Sequence, residues 1–265
     1  MKSSKLIGHG PRKVLLFPGL LGTRDAFDQM LSYADLDAFQ YAVAEYRGYG
    51  QARHERGLYT LRETVIDAVR LAEFLGWDRF AVAGHSLGAL VAQMLAVALP
   101  NRVDAIVSIA GLGANGAGAD PQRVAFMQEA VQSRAGRETL VNSGTGNRYT
   151  DGFARAVVAS TWNAIDHAAL ESYALDASRT DIHEHVAESD TPVLVLVGEH
   201  DPHCTAAAAH QTTLRWYRNT TLRVLAGSGH YPMYESPPET LFEMERYLGS
   251  TASRASEHQS EPQVS

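Results

Sequence analysis

Six short apolar runs constrain this chain more than any other feature. Val14–Phe17, Tyr41–Ala44, Phe80–Ala83, Val103–Ala110, Val193–Val197 and the weaker Thr221–Leu225 read as strands. Several are apolar almost without interruption, as a sheet covered on both faces requires. Between them lie helical patterns. Leu61, Val65, Ala68, Val69, Ala72 and Leu75 recur at helical spacing, with Thr60 and Glu63 at capping-box distance and Gly76 as the stop. Leu87–Leu99 is apolar nearly all round and reads as a buried helix ended by Pro100. Strands alternating with helices argue for an α/β fold built on a parallel sheet.

The rhythm breaks once. Residues 114–189 hold helical patterns and no convincing strand, so they read as a helical insertion over one edge of the sheet. Residues 1–113 and 190–248 then form the two parts of one core. Residues 249–265 are small and polar and read as a disordered tail.

Composition removes several function classes. Hydrophobic residues make up 45% and charged residues 20% of the 265, enough for a sizeable core. The balance of 23 basic against 30 acidic residues gives a net charge of −7, which disfavours a nucleic-acid partner. A single cysteine, Cys204, allows no disulfide within the chain and no multi-cysteine zinc fold. No apolar run approaches the ~18–20 residues of a membrane span, and MKSSKLIGHGP lacks the apolar centre of a secretion signal. The expectation is a cytoplasmic protein, monomer or homodimer, acting on a small molecule without a membrane.

The chemistry centres on Gly84-His85-Ser86-Leu87-Gly88, a G-x-S-x-G sequence placed between strand Phe80–Ala83 and helix Leu87–Leu99. A sharp strand-to-helix turn there lifts the serine oxygen clear of the backbone. Side chains at either glycine would meet the neighbouring strand and helix.

With this motif the chain resembles the α/β-hydrolase family. The resemblance spans about residues 6–248. It includes Leu16–Gly22, Tyr46-Arg47-Gly48-Tyr49-Gly50, Leu99–Val103, Gly198–Asp201 and Gly229-His230-Tyr231-Pro232, in the order that family uses. It implies a mostly parallel sheet flanked by helices, a helical cap, a serine-acid-histidine triad and hydrolysis of an ester or related bond.

Position and physics choose the partners. Serine needs a base, and among eleven histidines His230 lies on a loop after the last strand, where α/β proteins place chemistry. His85 adjoins the serine and reads as structural. Asp201 follows strand Val193–Val197 and fits the order nucleophile, acid, histidine, with Glu199 as the alternative acid. Two backbone N–H groups should meet the developing oxyanion, those of Leu87 and Leu20. Here the chain departs from the many relatives with His-Gly, since it has Pro18-Gly19. Gly19, Leu112, Trp162 and Tyr173 are expected to line the substrate pocket, with Phe126, Met127 and His167 as further residues of the cap.

Competing signals are weaker. Gly111–Gly116 spells G-x-G-x-x-G after a strand, but no second strand ending in an acidic residue follows, so no dinucleotide cofactor is expected. His200, Asp201, His203 and Cys204, and His183-Glu184-His185, lack the spacing that places two metal ligands on one helix face, so no metal is expected. Arg47 reads as a loop tie.

The resulting expectation is a serine hydrolase of small or medium apolar carboxylic esters or lactones. A carbon–carbon bond hydrolase of diketones, a perhydrolase and a slow-turnover ligand receptor share the resemblance.

Overall fold

In a computed structural model, residues 3–187 and 189–260 are described, without the side chains of Arg123 and of 252–260. The strands are β1 (Lys5–Gly8), β2 (Arg12–Phe17), β3 (Phe39–Val43), β4 (Phe80–His85), β5 (Val103–Ile109), β6 (Val193–Gly198) and β7 (Thr220–Leu225). Helix α1 (Asp28–Leu31) precedes β3, α2 (Leu61–Phe74) precedes β4, and α3 (Leu87–Ala98) follows it. Five helices, α4 (Pro121–Gln132), α5 (Arg134–Gly144), α6 (Asp151–Thr161), α7 (His167–Arg179) and α8 (His183–Val186), fill the interval between β5 and β6. Then come α9 (Ala206–Gln211) and α10 (Thr213–Trp216) before β7, and α11 (Pro232–Glu235) and α12 (Pro237–Ser260) after it.

The sheet order is β1-β3-β2-β4-β5-β6-β7, with β1 antiparallel to β3 and every other pair parallel. This is the α/β-hydrolase fold, a mostly parallel sheet flanked by helices. Val14–Phe17 of β2 and all of β4 and β6 are buried, which accounts for their unbroken apolar character. From β2 the chain turns outward to β3, whereas from β4 it turns the other way, to β5. The loops at the carboxyl ends of these neighbouring strands therefore diverge and leave a crevice between them.

Two elements differ from the sequence reading. β1 was not anticipated. Its Lys5-Leu6-Ile7-Gly8 is partly exposed at the sheet edge, with Lys5 held by Asp25 and Asp28, so it carries no apolar run. The disordered tail expected from 249 begins instead as helix, because α12 continues to Ser260. Leu241, Met244 and Leu248 are buried at helical spacing and seat that helix on the core. The last expected tail residues, 261–265, lie outside the described residues.

Candidate active site

Ser86 sits between the end of β4 and the start of α3 with φ +52° and ψ −116°. For a residue with a side chain this conformation costs about 1–3 kcal/mol and persists only where the surroundings impose it. They do so here. A Cβ on Gly84 would lie 2.1 Å from the Gly88 carbonyl oxygen, and one on Gly88 2.2 Å from that of Phe17. The Ser86 N–H donates to the Ile109 carbonyl at 3.0 Å, and its own carbonyl accepts the Leu112 N–H at 3.1 Å.

The three residues proposed from position meet at this turn. His230 Nε2 is 3.0 Å from Ser86 Oγ, and His230 Nδ1 is 2.7 Å from Asp201 Oδ2. The other oxygen, Asp201 Oδ1, accepts the N–H groups of His203 at 2.8 Å and Cys204 at 3.0 Å. Asp201 is buried by this arrangement. Burial works against its charge, but His230 and the two N–H donors together hold its carboxyl below the usual range. For His230, burial likewise opposes the cation, yet the Asp201 charge and hydrogen bond outweigh it and raise the imidazole above 6.5. Glu199, the alternative acid, accepts the Gly227 N–H and points elsewhere.

The His230 loop is fixed by groups that the sequence did not advertise. The His230 N–H donates to the Gly144 carbonyl at the end of α5, at 2.9 Å. Its neighbours Gly229 and Tyr231 donate to Glu235, at 2.8 and 2.9 Å. His85 is fully enclosed, and its Nε2–H donates to the His230 carbonyl at 2.7 Å. Burial first, and the nearby His230 charge second, push His85 down to about 3, so it is neutral.

Above Ser86 lies a cavity of about 420 Å³. Its wall is apolar where Leu20, Leu112, Val124, Met127, Leu140 and Leu175 meet it, and polar at Ser143, Gln128 and His203. Among the described lining residues there is no lysine, arginine, aspartate or glutamate. Leu87 opens α3 and Leu20 lies on the loop after β2; both border the cavity. First-turn N–H groups such as that of Leu87 have no partner within their own helix.

The other expected pocket residues fare unevenly. Leu112 lines the cavity, as do Phe126 and Met127 of the cap. Gly19 does not. It packs under the elbow, where a Cβ would lie 2.4 Å from His85 Nδ1. Trp162 is turned away, with the Arg137 guanidinium 4.5 Å from its ring and His167 edge-on at 4.9 Å. Tyr173 is enclosed among Tyr46, Tyr49 and Tyr59 and donates to the Arg47 carbonyl at 3.3 Å. Size marked both aromatics, but the interior of the cap consumes Trp162 and the seam between cap and core consumes Tyr173. Arg47 is a tie, bound to both oxygens of Asp67 at 2.6 and 2.9 Å. The G-x-G-x-x-G segment is the loop from β5 into the cap, where Gly111 packs on Ala89 and Ser108.

The fold and the sequence have known counterparts. The chain is 25% identical over 238 residues to 3-oxoadipate enol-lactonase 2 of Acinetobacter baylyi, covering 87% of this chain and 86% of that one. In structure it resembles a hydrolase from Oleispira antarctica, with a TM-score of 0.81 at 15% identity over 93% and 94% of the two chains. A thermophilic esterase from Thermogutta terrifontis gives 0.79 at 18% identity over 94% and 93%. The profile of the alpha/beta hydrolase family matches residues 14–244. The chain is an enzyme and belongs to the alpha/beta hydrolase family.

Proposed function

We propose that the protein is a serine hydrolase that cleaves uncharged, largely apolar carboxylic esters or lactones through an acyl-enzyme. The observation that carries this reading is the unbroken relay from Ser86 Oγ through His230 to Asp201 at the floor of an apolar cavity. Ser86 Oγ attacks the carbonyl carbon while His230 Nε2 takes its proton. The carbonyl oxygen becomes an oxyanion and receives the N–H groups of Leu20 and Leu87. As the tetrahedral species collapses, His230 returns the proton to the leaving alkoxide, and the acyl group stays on Ser86. Water then gives its proton to His230, attacks the acyl carbon and releases the acid. Asp201 holds Nδ1–H throughout, so that Nε2 is the nitrogen facing Ser86.

The cavity wall argues for the substrate class. A charged carboxylate on the substrate would lose its hydration among these apolar residues and find no described lysine or arginine in return. The enol-lactonase relative supports including ring esters in the class. The substrate of that relative, by its name, derives from a dicarboxylate, and this cavity is suited instead to a neutral compound.

Fluorophosphonate labelling and a panel of neutral and carboxylated esters and lactones test the reading. Wild type should be labelled once and turn over the neutral members preferentially. Ser86→Ala should lose labelling and at least about 10³-fold in turnover. Persistence of either in that variant would remove Ser86 from the reaction.

A further inference from the structure

The loop that carries Leu20 is held by two tyrosines from the turn after β3. Tyr46 Oη donates to the Pro18 carbonyl at 2.6 Å, and Tyr49 Oη donates to the Leu20 carbonyl at 3.0 Å. Both rings are buried. Between these two carbonyls lies that of Gly19, which accepts the Gly22 N–H at 2.9 Å. Three consecutive carbonyls are thus occupied. The Gly19 carbonyl and the Leu20 N–H belong to one planar peptide and point in opposite directions. Holding that carbonyl toward Gly22 sends the Leu20 N–H the other way. The planes on either side are fixed by the tyrosines, so little freedom remains for the peptide to rotate. A rotated peptide would present an oxygen, not a donor, to the developing oxyanion. Gly19 lies against the nucleophile itself, since a Cβ there would be 3.3 Å from Ser86 Cβ.

The tyrosines are themselves braced by the cap. The Gly50 N–H donates to the Ala164 carbonyl and the Asp166 N–H to that of Gly48, both at 2.8 Å. Tyr173 of α7 packs its ring 5.5 Å from Tyr46 and 5.6 Å from Tyr49. The turn Tyr46–Gly50 is therefore a strut, with the cap at one end and the carbonyls of the Leu20 loop at the other.

We propose that Tyr46 and Tyr49 are positioning residues that aim the Leu20 N–H at the reacting carbonyl oxygen. The inference rests on the acyl-enzyme reading above. Neither hydroxyl touches substrate, since neither residue borders the cavity. Their influence runs through the backbone they hold, so it should fall on the transition state more than on substrate binding.

The test is Tyr46→Phe, Tyr49→Phe and the double variant, assayed on p-nitrophenyl butyrate with active sites counted by fluorophosphonate stoichiometry. Phenylalanine keeps the ring cluster and removes only the hydroxyls. Loss of a whole oxyanion donor typically costs about 10²–10³-fold in kcat. A misaimed donor should cost less, about 10–10²-fold per active site in the double variant and about three- to tenfold in each single. KM should stay within about threefold and the pH midpoint should not move, because His230 and Asp201 are untouched. Values of kcat per active site within about twofold of wild type in all variants would overturn the inference. So would a loss carried wholly by KM or by the folded fraction. If the double variant does not fold, the singles decide by the same criteria. Ser86→Ala, run alongside, separates the two hypotheses: turnover retained there defeats the acyl-enzyme reading, whatever the tyrosines do.

Discussion

His230 owes its properties to a contest between burial and Asp201. Burial favours the neutral imidazole, and the adjacent carboxylate favours the cation and prevails. Ser86 can lose its proton only to neutral His230, so kcat/KM should rise with pH along a limb whose midpoint lies above 6.5. Asp201→Asn removes the charge and leaves burial to act alone. The midpoint should then shift down, and turnover near neutrality should fall by about 10⁴-fold. Rate profiles of the two proteins that share one midpoint would contradict this assignment. The sequence disclosed Ser86, Asp201 and His230 because the roles proposed for them demand particular residue types at particular places along the chain. It could not disclose Glu235 or the Gly144 carbonyl. An anchoring carboxylate five residues past a histidine, or a backbone oxygen in a distant helix, leaves no distinguishing pattern.

At the scale of elements, legibility followed burial. β2, β4, β5 and β6 are enclosed on both faces and announced themselves as apolar runs. β1 pairs along one edge only, and its residues satisfy water as much as the sheet. The cap helices were legible as helices, but not the direction each face takes. Trp162 turns into the interior of the cap and Tyr173 into the seam with the core tyrosines, whereas Met127 and Leu140 reach the cavity. Which way an amphipathic helix turns is set by its neighbours, and neighbours distant in sequence cannot be read from period. The end of α5 shows how close such a neighbour can come. A Cβ on Gly144 would lie 3.0 Å from His230 Cβ and 3.1 Å from the Tyr231 ring. Gly144→Ala should push His230 back from Ser86 by a few tenths of an ångström. We expect kcat to drop by up to about tenfold, with Gly152→Ala, where a Cβ meets only Thr150 Oγ1 at 3.4 Å, as a silent control. Equal kcat in the two variants would show that the α5 contact does not set the histidine.

For the whole molecule, the buried neutral His85 ties stability to pH. Its folded value lies far below 6.5, so on unfolding below 6.5 it takes up a proton that the native state refuses. Its contribution is complete above 6.5 and is lost progressively as pH falls towards about 3. Over that window it should add about 1.4 kcal/mol per pH unit to the slope of unfolding free energy. His85→Gln can keep a donor for the His230 carbonyl while removing the titration. Denaturation curves at several pH values should show the shallower slope in the variant, and parallel slopes would exclude His85 as the source.

The hydrogen bond from His230 to Gly144 carries a consequence for how such molecules can change. A helical insertion between β5 and β6 looks like an exchangeable module, free to be replaced when a new substrate is needed. Here the insertion supplies a backbone acceptor to His230 at one end and pairs with Gly48–Gly50 at the other. A chimera that receives a foreign segment in place of residues 114–189 should therefore lose more than its specificity. Its turnover should fall even on small esters that ignore the pocket wall, and restoring the α5 terminus around Gly144 should recover part of it. Substrate range in this chain is open to variation along α4 and the C-terminal half of α7, and closed where the cap doubles as scaffold for His230.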